Sequence, residues 1–186
     1  MQANLAFGQP LGAVFQTALI VPDIDEAITH YVNLLGIGPW TMIRHFPPIR
    51  QKYRGGATDL DVSIATAYSG SMMMEIIQQH NDTQSVFTDT IAERGYGLHH
   101  YAVTTDKFDE DVARYTAMGG APDFEAIAPA RMDNARVAYF DTRKELGAML
   151  EVVEINPSVE SFFASVRAPS LDWDGKTEPV REISPD

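Results

Sequence analysis

A chain of 186 residues, 45% of them hydrophobic and none of them cysteine, can bury a sizeable core but has no sulfur for disulfides, thiolate catalysis or sulfur-ligated zinc. Its 26 acidic residues against 14 basic ones give a net charge of −12, which opposes nucleic acid and anionic membranes as main partners because phosphates are bound chiefly by Lys and Arg. No apolar run is long enough to span a bilayer and the N-terminus lacks a basic-then-apolar secretion segment, so a cytoplasmic protein acting on a small molecule is expected.

The first strand runs from about Gln16 and hands over at Val21-Pro22-Asp23 to a helix. Ile24, Ala27, Ile28, Tyr31, Leu34 and Leu35 recur there at helical spacing, Asp23 is placed to cap the first turn, and Gly36 suits the left-handed stop. Strands follow at 40–46, 62–68 and 72–78, the last carrying one acid, Glu75, inside an apolar run. Between the first two of these, His45, Phe46, Pro47 and Pro48 read as a strand-end turn at a pocket rim. Residues 51–59, with Arg54-Gly-Gly56, read as a mobile loop that serves as a lid over the first module. A short connecting helix is expected over 82–93, with Val86, Phe87 and Ile91 on one face, ended by Gly95-Tyr-Gly97.

A second set then begins at His100, with helical spacing of Phe108, Val112, Tyr115 and Met118, a stop at Gly119-Gly120, and strands at 124–128, 136–141 and 149–154. The last strand again carries one acid, Glu151, in an apolar run. Val159, Phe162, Phe163 and Val166 predict a terminal amphipathic helix docked on the domain, and the polar segment from Asp172 onward is expected to be loosely held.

The two sets are one unit written twice. Residues 16–36 align without a gap on 100–120, and Asp25/Asp109, Glu26/Glu110, Ile28/Val112, Tyr31/Tyr115 and Gly36/Gly120 keep one constant offset. The expected fold class is α+β with tandem βαβββ modules at 13–80 and 98–156, a connecting helix and linker at 81–97, and a terminal helix and tail at 157–186. Whether the modules close on each other within one chain or exchange across a homodimer is left open, because either satisfies the repeat.

Strand alternation then assigns faces. Met73, Ile77 and Gln79 share a face with Glu75, and Met149 and Val153 share one with Glu151; Met74, Ile76, Leu150 and Val152 turn toward the helices. Methionine, isoleucine and valine around two carboxylates describe an apolar substrate pocket with a polar centre. A carboxylate inside such a run needs a partner or a metal.

On these residues the chain resembles the vicinal oxygen chelate superfamily, which contains glyoxalase I, methylmalonyl-CoA epimerase, extradiol dioxygenases and bleomycin-resistance proteins. The resemblance covers about residues 13–156 and rests on the paired pattern, Val21-Pro-Asp-Ile-Asp-Glu-Ala-Ile28 leading to Leu34-Leu-Gly-Ile-Gly-Pro39, Gly97-Leu-His-His-Tyr-Ala-Val103, and Phe140-Asp-Thr-Arg-Lys-Glu-Leu-Gly147 through to Glu151. That Phe140–Gly147 phrase and the Asp172-Trp-Asp-Gly175 tail are similar to the glyoxalase-like, epimerase-like branch. The resemblance implies a curved, cup-shaped mixed sheet with helices outside, and metal ligands at Gln16, Glu75, His100 and Glu151. His100 is chosen because it matches Gln16 at the repeat offset, which leaves His99 on the opposite strand face. Oxygen donors with one imidazole suit a divalent ion such as Zn, Ni, Co, Mn or Fe(II).

The implied chemistry is proton abstraction next to a carbonyl, as isomerase, epimerase or lyase, with Glu151 as leading general base and Glu75 as its counterpart on the other face. Departures narrow it. Ile20, Gln79 and Ala135 stand where glyoxalase I grips glutathione, leaving Arg94 as the remaining cation near that place. Arg131, Arg136, Arg143 and Lys144 are the cations available to CoA phosphates. A metal-free binding protein of the bleomycin-resistance type, with Trp40, Phe46, Tyr68, Tyr96 and Tyr101 as candidate lining, is the alternative reading. An extradiol dioxygenase ranks lower, because Gln16 holds a slot where that chemistry wants histidine.

Overall fold

Each copy of the repeat folds into a strand, a helix and three further main strands, with a two-stranded hairpin inserted in copy one, in the computed structural model, which describes residues 3–46 and 49–184. Copy one comprises β1 (Val14–Ile20), α1 (Ile24–Leu35), β2 (Trp40–Phe46), a hairpin of β3 (Ile49–Tyr53) and β4 (Gly56–Ala57), β5 (Val62–Ser69) and β6 (Met72–Gln79). After α2 (Val86–Arg94), copy two comprises β7 (Gly97–Thr105), α3 (Phe108–Gly119), β8 (Phe124–Ile127), β9 (Arg136–Phe140), the short α4 (Arg143–Leu146) and β10 (Met149–Glu154). The chain ends with α5 (Pro157–Arg167) and β11 (Val180–Glu182). Pro47 and Pro48, read above as a rim turn, lie outside the described residues. Among the described residues, no helix is long and apolar enough to cross a membrane.

The strands form one curved mixed sheet in the order β11-β2-β5-β6-β1-β7-β10-β9-β8-β3-β4. The copies repeat the same local order: β1 lies parallel to β6 and β7 parallel to β10, with antiparallel neighbours beyond, and β1 meets β7 antiparallel at the pseudo-twofold centre. The first helix is bounded as its sequence dictates. Extended Asp23 accepts the Glu26 N–H at 2.9 Å, and Gly36 ends the helix at φ 64°.

Alternation sorts the sheet's faces. Met74 and Ile76 pack under α1 with Ile24, Ile28 and Trp40, while Val152, Ala138 and Phe140 pack under α3 with Phe108. Those helices pack on the sheet through these residues. α5 docks elsewhere, its Val159, Phe163 and Val166 packing with Phe7, Phe15 and Met73.

The structure corrects the reading of the chain in the hairpin and the tail. Residues 51–59, expected as a mobile lid over the first module, carry the β3–β4 hairpin, and β3 pairs with β8 of the second module. The tail, expected to be loosely held, runs β11 parallel to β2, and the Trp173 ring lies so close to Gly38 that a Cβ there would stand 2.6 Å from it. The physical reason is shared. β2 and β8 end the two βαβββ sheets and would present unpaired backbone groups; the hairpin inserted in copy one covers β8, and the tail beyond copy two covers β2.

Candidate functional site

Gln16 and His100 sit diagonally across the central pair of strands, with Gln16 opposite Ala102 and Ala18 opposite His100. Just outside this pairing each strand carries one extra residue: the register slips between Val14 and Gln16 on β1 and between Leu98 and His100 on β7. The bulged residues are Phe15 and His99, at the repeat offset from one another. A bulge re-aims the side chain that occupies it. The expectation that alternation leaves His99 on the opposite face is therefore overturned: His99 Nδ1 stands 2.8 Å from His100 Nδ1.

β6 and β10 flank this pair and bring Glu75 and Glu151 to the same face. His100 Nε2 lies 3.2 Å from Glu151 Oε2 and 3.4 Å from Glu75 Oε2, and it makes no well-directed hydrogen bond to either. Gln16, Glu75, His100 and Glu151 are all buried. Gln16 lies close enough to Glu75, and Tyr139 close enough to Glu151, to bear on their charge. The Tyr139 ring stands perpendicular to that of His100 at 5.0 Å between centroids. The four sequence-derived slots thus converge, and Tyr139 joins them from β9.

Burial dominates the electrostatics. It pushes the Glu75 carboxyl up, against the opposing pull of His100. Burial pulls the His100 imidazole down, but the Glu151 and Glu75 carboxylates outweigh it and raise the ring to about 9. Tyr139 is pushed well above its usual value by burial and then by the two carboxylates, so its hydroxyl stays protonated as a donor.

The group opens on a cavity of about 130 Å³ whose lining includes Gln16, Glu75, Glu151 and Tyr139. Its walls are apolar and aromatic, among them Phe46, Phe87, Phe124, Val137 and Phe162, and Glu75 and Glu151 are the charged residues that line it. Of the five wall residues taken from alternation, Val153 lines the cavity. Met73 is instead covered by Phe7, Phe15 and Phe163, while Ile77 and Met149 pack with Val86 and Phe87. Gln79 donates to the carbonyls of Asn81 and Thr83, both at 2.7 Å, and accepts from Ser85 Oγ, which caps α2. These residues were assigned a face by their strands and then covered by α2, α5 and the N-terminal segment, none of which belongs to the repeat.

The arginines considered for anionic substrate groups are bound elsewhere. Arg136 pairs with Glu154 and Asp109, Arg143 with Asp141 and Glu93, and Arg94 donates to the Gly147 carbonyl. None of them lines the cavity. A second group able to hold a cation lies apart from it: His45 Nδ1 is 2.8 Å from Asp61 Oδ1, and ligand atoms of His45, Asp61 and His80 fall within 4.8 Å of one another. His45 and His80 are exposed there, and His80 Nε2 is 2.7 Å from Ser63 Oγ.

The sequence profile of the Glyoxalase/Bleomycin resistance protein/Dioxygenase superfamily matches residues 15–139, a span that holds Gln16, Glu75 and His100 and stops short of Glu151. No protein of curated function matches the chain. Among solved structures, a methylmalonyl-CoA epimerase in complex with methylmalonyl-CoA and NH4+ is similar at 16% identity and a TM-score of 0.52, over 80% of this chain and 97% of that one. A Streptomyces coelicolor methylmalonyl-CoA epimerase variant in complex with 2-nitronate-propionyl-CoA is similar at 17% identity and 0.52, over 79% and 96%. A hypothetical protein from Bacillus halodurans C-125 is similar at 19% identity and 0.51, over 78% and 95%. At such identities the likeness is one of fold.

Proposed function

This chain belongs to the Glyoxalase/Bleomycin resistance protein/Dioxygenase superfamily, and from that premise we propose a divalent-metal enzyme that removes a proton next to a carbonyl of a small, rather apolar substrate. Isomerisation, epimerisation and a lyase step all begin with that event. The observation that carries the reading is the buried His100 Nε2, without a hydrogen-bond partner between two carboxylates at the end of an apolar cavity. Donors each about 2.1 Å from one cation stand roughly 3.0–3.4 Å apart at octahedral to tetrahedral angles, which is the spacing found around His100 Nε2. Gln16, Glu75, His100 and Glu151 are thus the proposed ligands, and three oxygen donors with one imidazole suit Zn, Ni, Co, Mn or Fe(II).

Such an ion, when bound, supplies a positive charge that lowers the cost of negative charge on a carbonyl oxygen. The protein's residues do the rest. Glu151, with Tyr139 opposite it across the strands, is the proposed base, and Glu75, beside Gln16, is its counterpart for returning the proton. His100 and Gln16 orient the site. Phe46, Phe87, Phe124 and Phe162 exclude water, which strengthens each charge interaction inside. With no basic side chain among the described residues of the lining, the enclosed part of the proposed substrate is apolar, and any phosphate-bearing portion stays outside. The similar fold of methylmalonyl-CoA epimerases is consistent with this class of reaction.

Elemental analysis of untagged protein purified without chelator tests the reading. About one equivalent of metal is expected in the parent and in His45→Ala, and none in His100→Ala or Glu75→Gln. Loss of metal in His45→Ala instead would assign the ion to the outer group. A parent that refuses every one of these ions would leave the cup as a metal-free binding pocket of the bleomycin-resistance type. With metal established, solvent deuterium entering 2-oxoaldehyde or acyl-thioester substrates reports the proton step.

A further inference from the structure

His99 is wholly buried, its ring 4.7 Å from that of Phe87 and 6.0 Å from that of Tyr139. Its Nε2 lies 3.2 Å from the carbonyl oxygen of Val86, the first residue of α2. A carbonyl can only accept, so Nε2 carries a hydrogen. The ring forms no ion pair with a carboxylate among the described residues, and a buried imidazolium without an anion is costly, so the ring is neutral. Its Nδ1 is then a lone pair. The nitrogen 2.8 Å away, His100 Nδ1, must be the donor, because two lone pairs at that distance repel.

We infer that His99 is a positioning residue: lodged in the bulge and anchored to α2, it accepts the Nδ1 hydrogen of His100 and thereby makes Nε2 the nitrogen that His100 offers between Glu75 and Glu151. The assignment of His99 stands on the hydrogen bonds, whereas its consequence for a cation rests on the metal reading above. Ligating histidines commonly donate their second ring nitrogen to an outer acceptor, which fixes tautomer and ring angle. Here that acceptor is a neighbouring histidine held by the connecting helix. The copy-one equivalent, Phe15, is a phenyl ring packed among Phe7 and Phe163 and offers no acceptor to Gln16 beside it.

Long-range proton–nitrogen NMR on the full chain labelled at histidine reads the tautomer directly. His99 is expected as the Nε2–H form from roughly pH 6 to 8, with or without metal. A hydrogen on His99 Nδ1 overturns the inference. Chelator competition gives a second readout. His99→Phe is expected to weaken metal binding by about 10–100-fold, while His99→Asn, which keeps an oxygen acceptor near the Nδ1 position, is expected to restore most of it. Unchanged affinity in His99→Phe overturns the positioning role. If the parent takes up no metal, the metal reading falls and the NMR still decides His99.

Discussion

The two copies of the repeat place their side chains alike at the sheet centre and differ in what supports them. Each puts a bulge before its central donor, but the bulged residue is Phe15 in copy one and His99 in copy two. Phe15 packs between Phe7 and Phe163, at 5.5 and 5.2 Å, whereas His99 bridges the Val86 carbonyl and His100. The strand partners of the glutamates diverge in the same sense: Thr66 lies opposite Glu75, and Tyr139 lies opposite Glu151. Duplication thus supplies two positions for the proposed ligands. The polar support around copy two makes the donor there an oriented imidazole, while copy one keeps a neutral amide.

Removing each donor tests that asymmetry most severely. His100→Ala is expected to lose more metal affinity than the roughly 10–100-fold typical of a ligand's outer partners, and Gln16→Ala less than that, both measured by chelator competition. Equal losses would erase the distinction between the copies. Exchanging the bulged residue comes next. Phe15→His puts an imidazole among phenyl rings and is expected to cost about 2–4 kcal/mol, read by urea denaturation, and a neutral outcome would show that the slot in copy one also offers a hydrogen-bond partner.

The edges of the copies differ too, since β3 covers β8 while the tail covers β2. Gly38→Ala, whose Cβ would meet the Trp173 ring at 2.6 Å, is expected to destabilise by about 1–3 kcal/mol and to expose the tail to protease. Intact tail protection would mean that the ring is free to move aside. The smallest expected effect is on pH dependence. In chelator-treated protein, the His100 ring is raised above its ordinary 6.5 to about 9, so the folded state holds that proton more tightly than the unfolded chain. Its contribution is complete below about pH 6.5 and is lost as pH rises through about 9. Melting temperature should fall across that window, and less so in Glu151→Gln; a rise in the parent would contradict the ion-paired arrangement. Gln16 does not titrate, so copy one adds nothing to this term.

The repeat offset, the capping of α1 by Asp23, and the acids on the closing strands were legible because each is local: period, cap chemistry and strand alternation depend on near neighbours in the chain. The convergence of Gln16, Glu75, His100 and Glu151 was legible through resemblance and repeat register together. Tyr139 was not. Nothing in Arg136–Phe140 marks one aromatic as the partner of Glu151 until β9 is paired with β10.

The sequence by itself determined the duplicated βαβββ framework and the residue types at its centre, because hydrophobic period and repeat spacing survive without knowledge of the fold. Only the tertiary structure decided which way His99 faces, that Met73, Ile77 and Met149 are covered, and that the hairpin and tail close the module edges. A bulge breaks alternation at a single residue, and helices from outside the repeat bury wall positions that the strands alone would leave open; both depend on pairing between segments far apart in the chain.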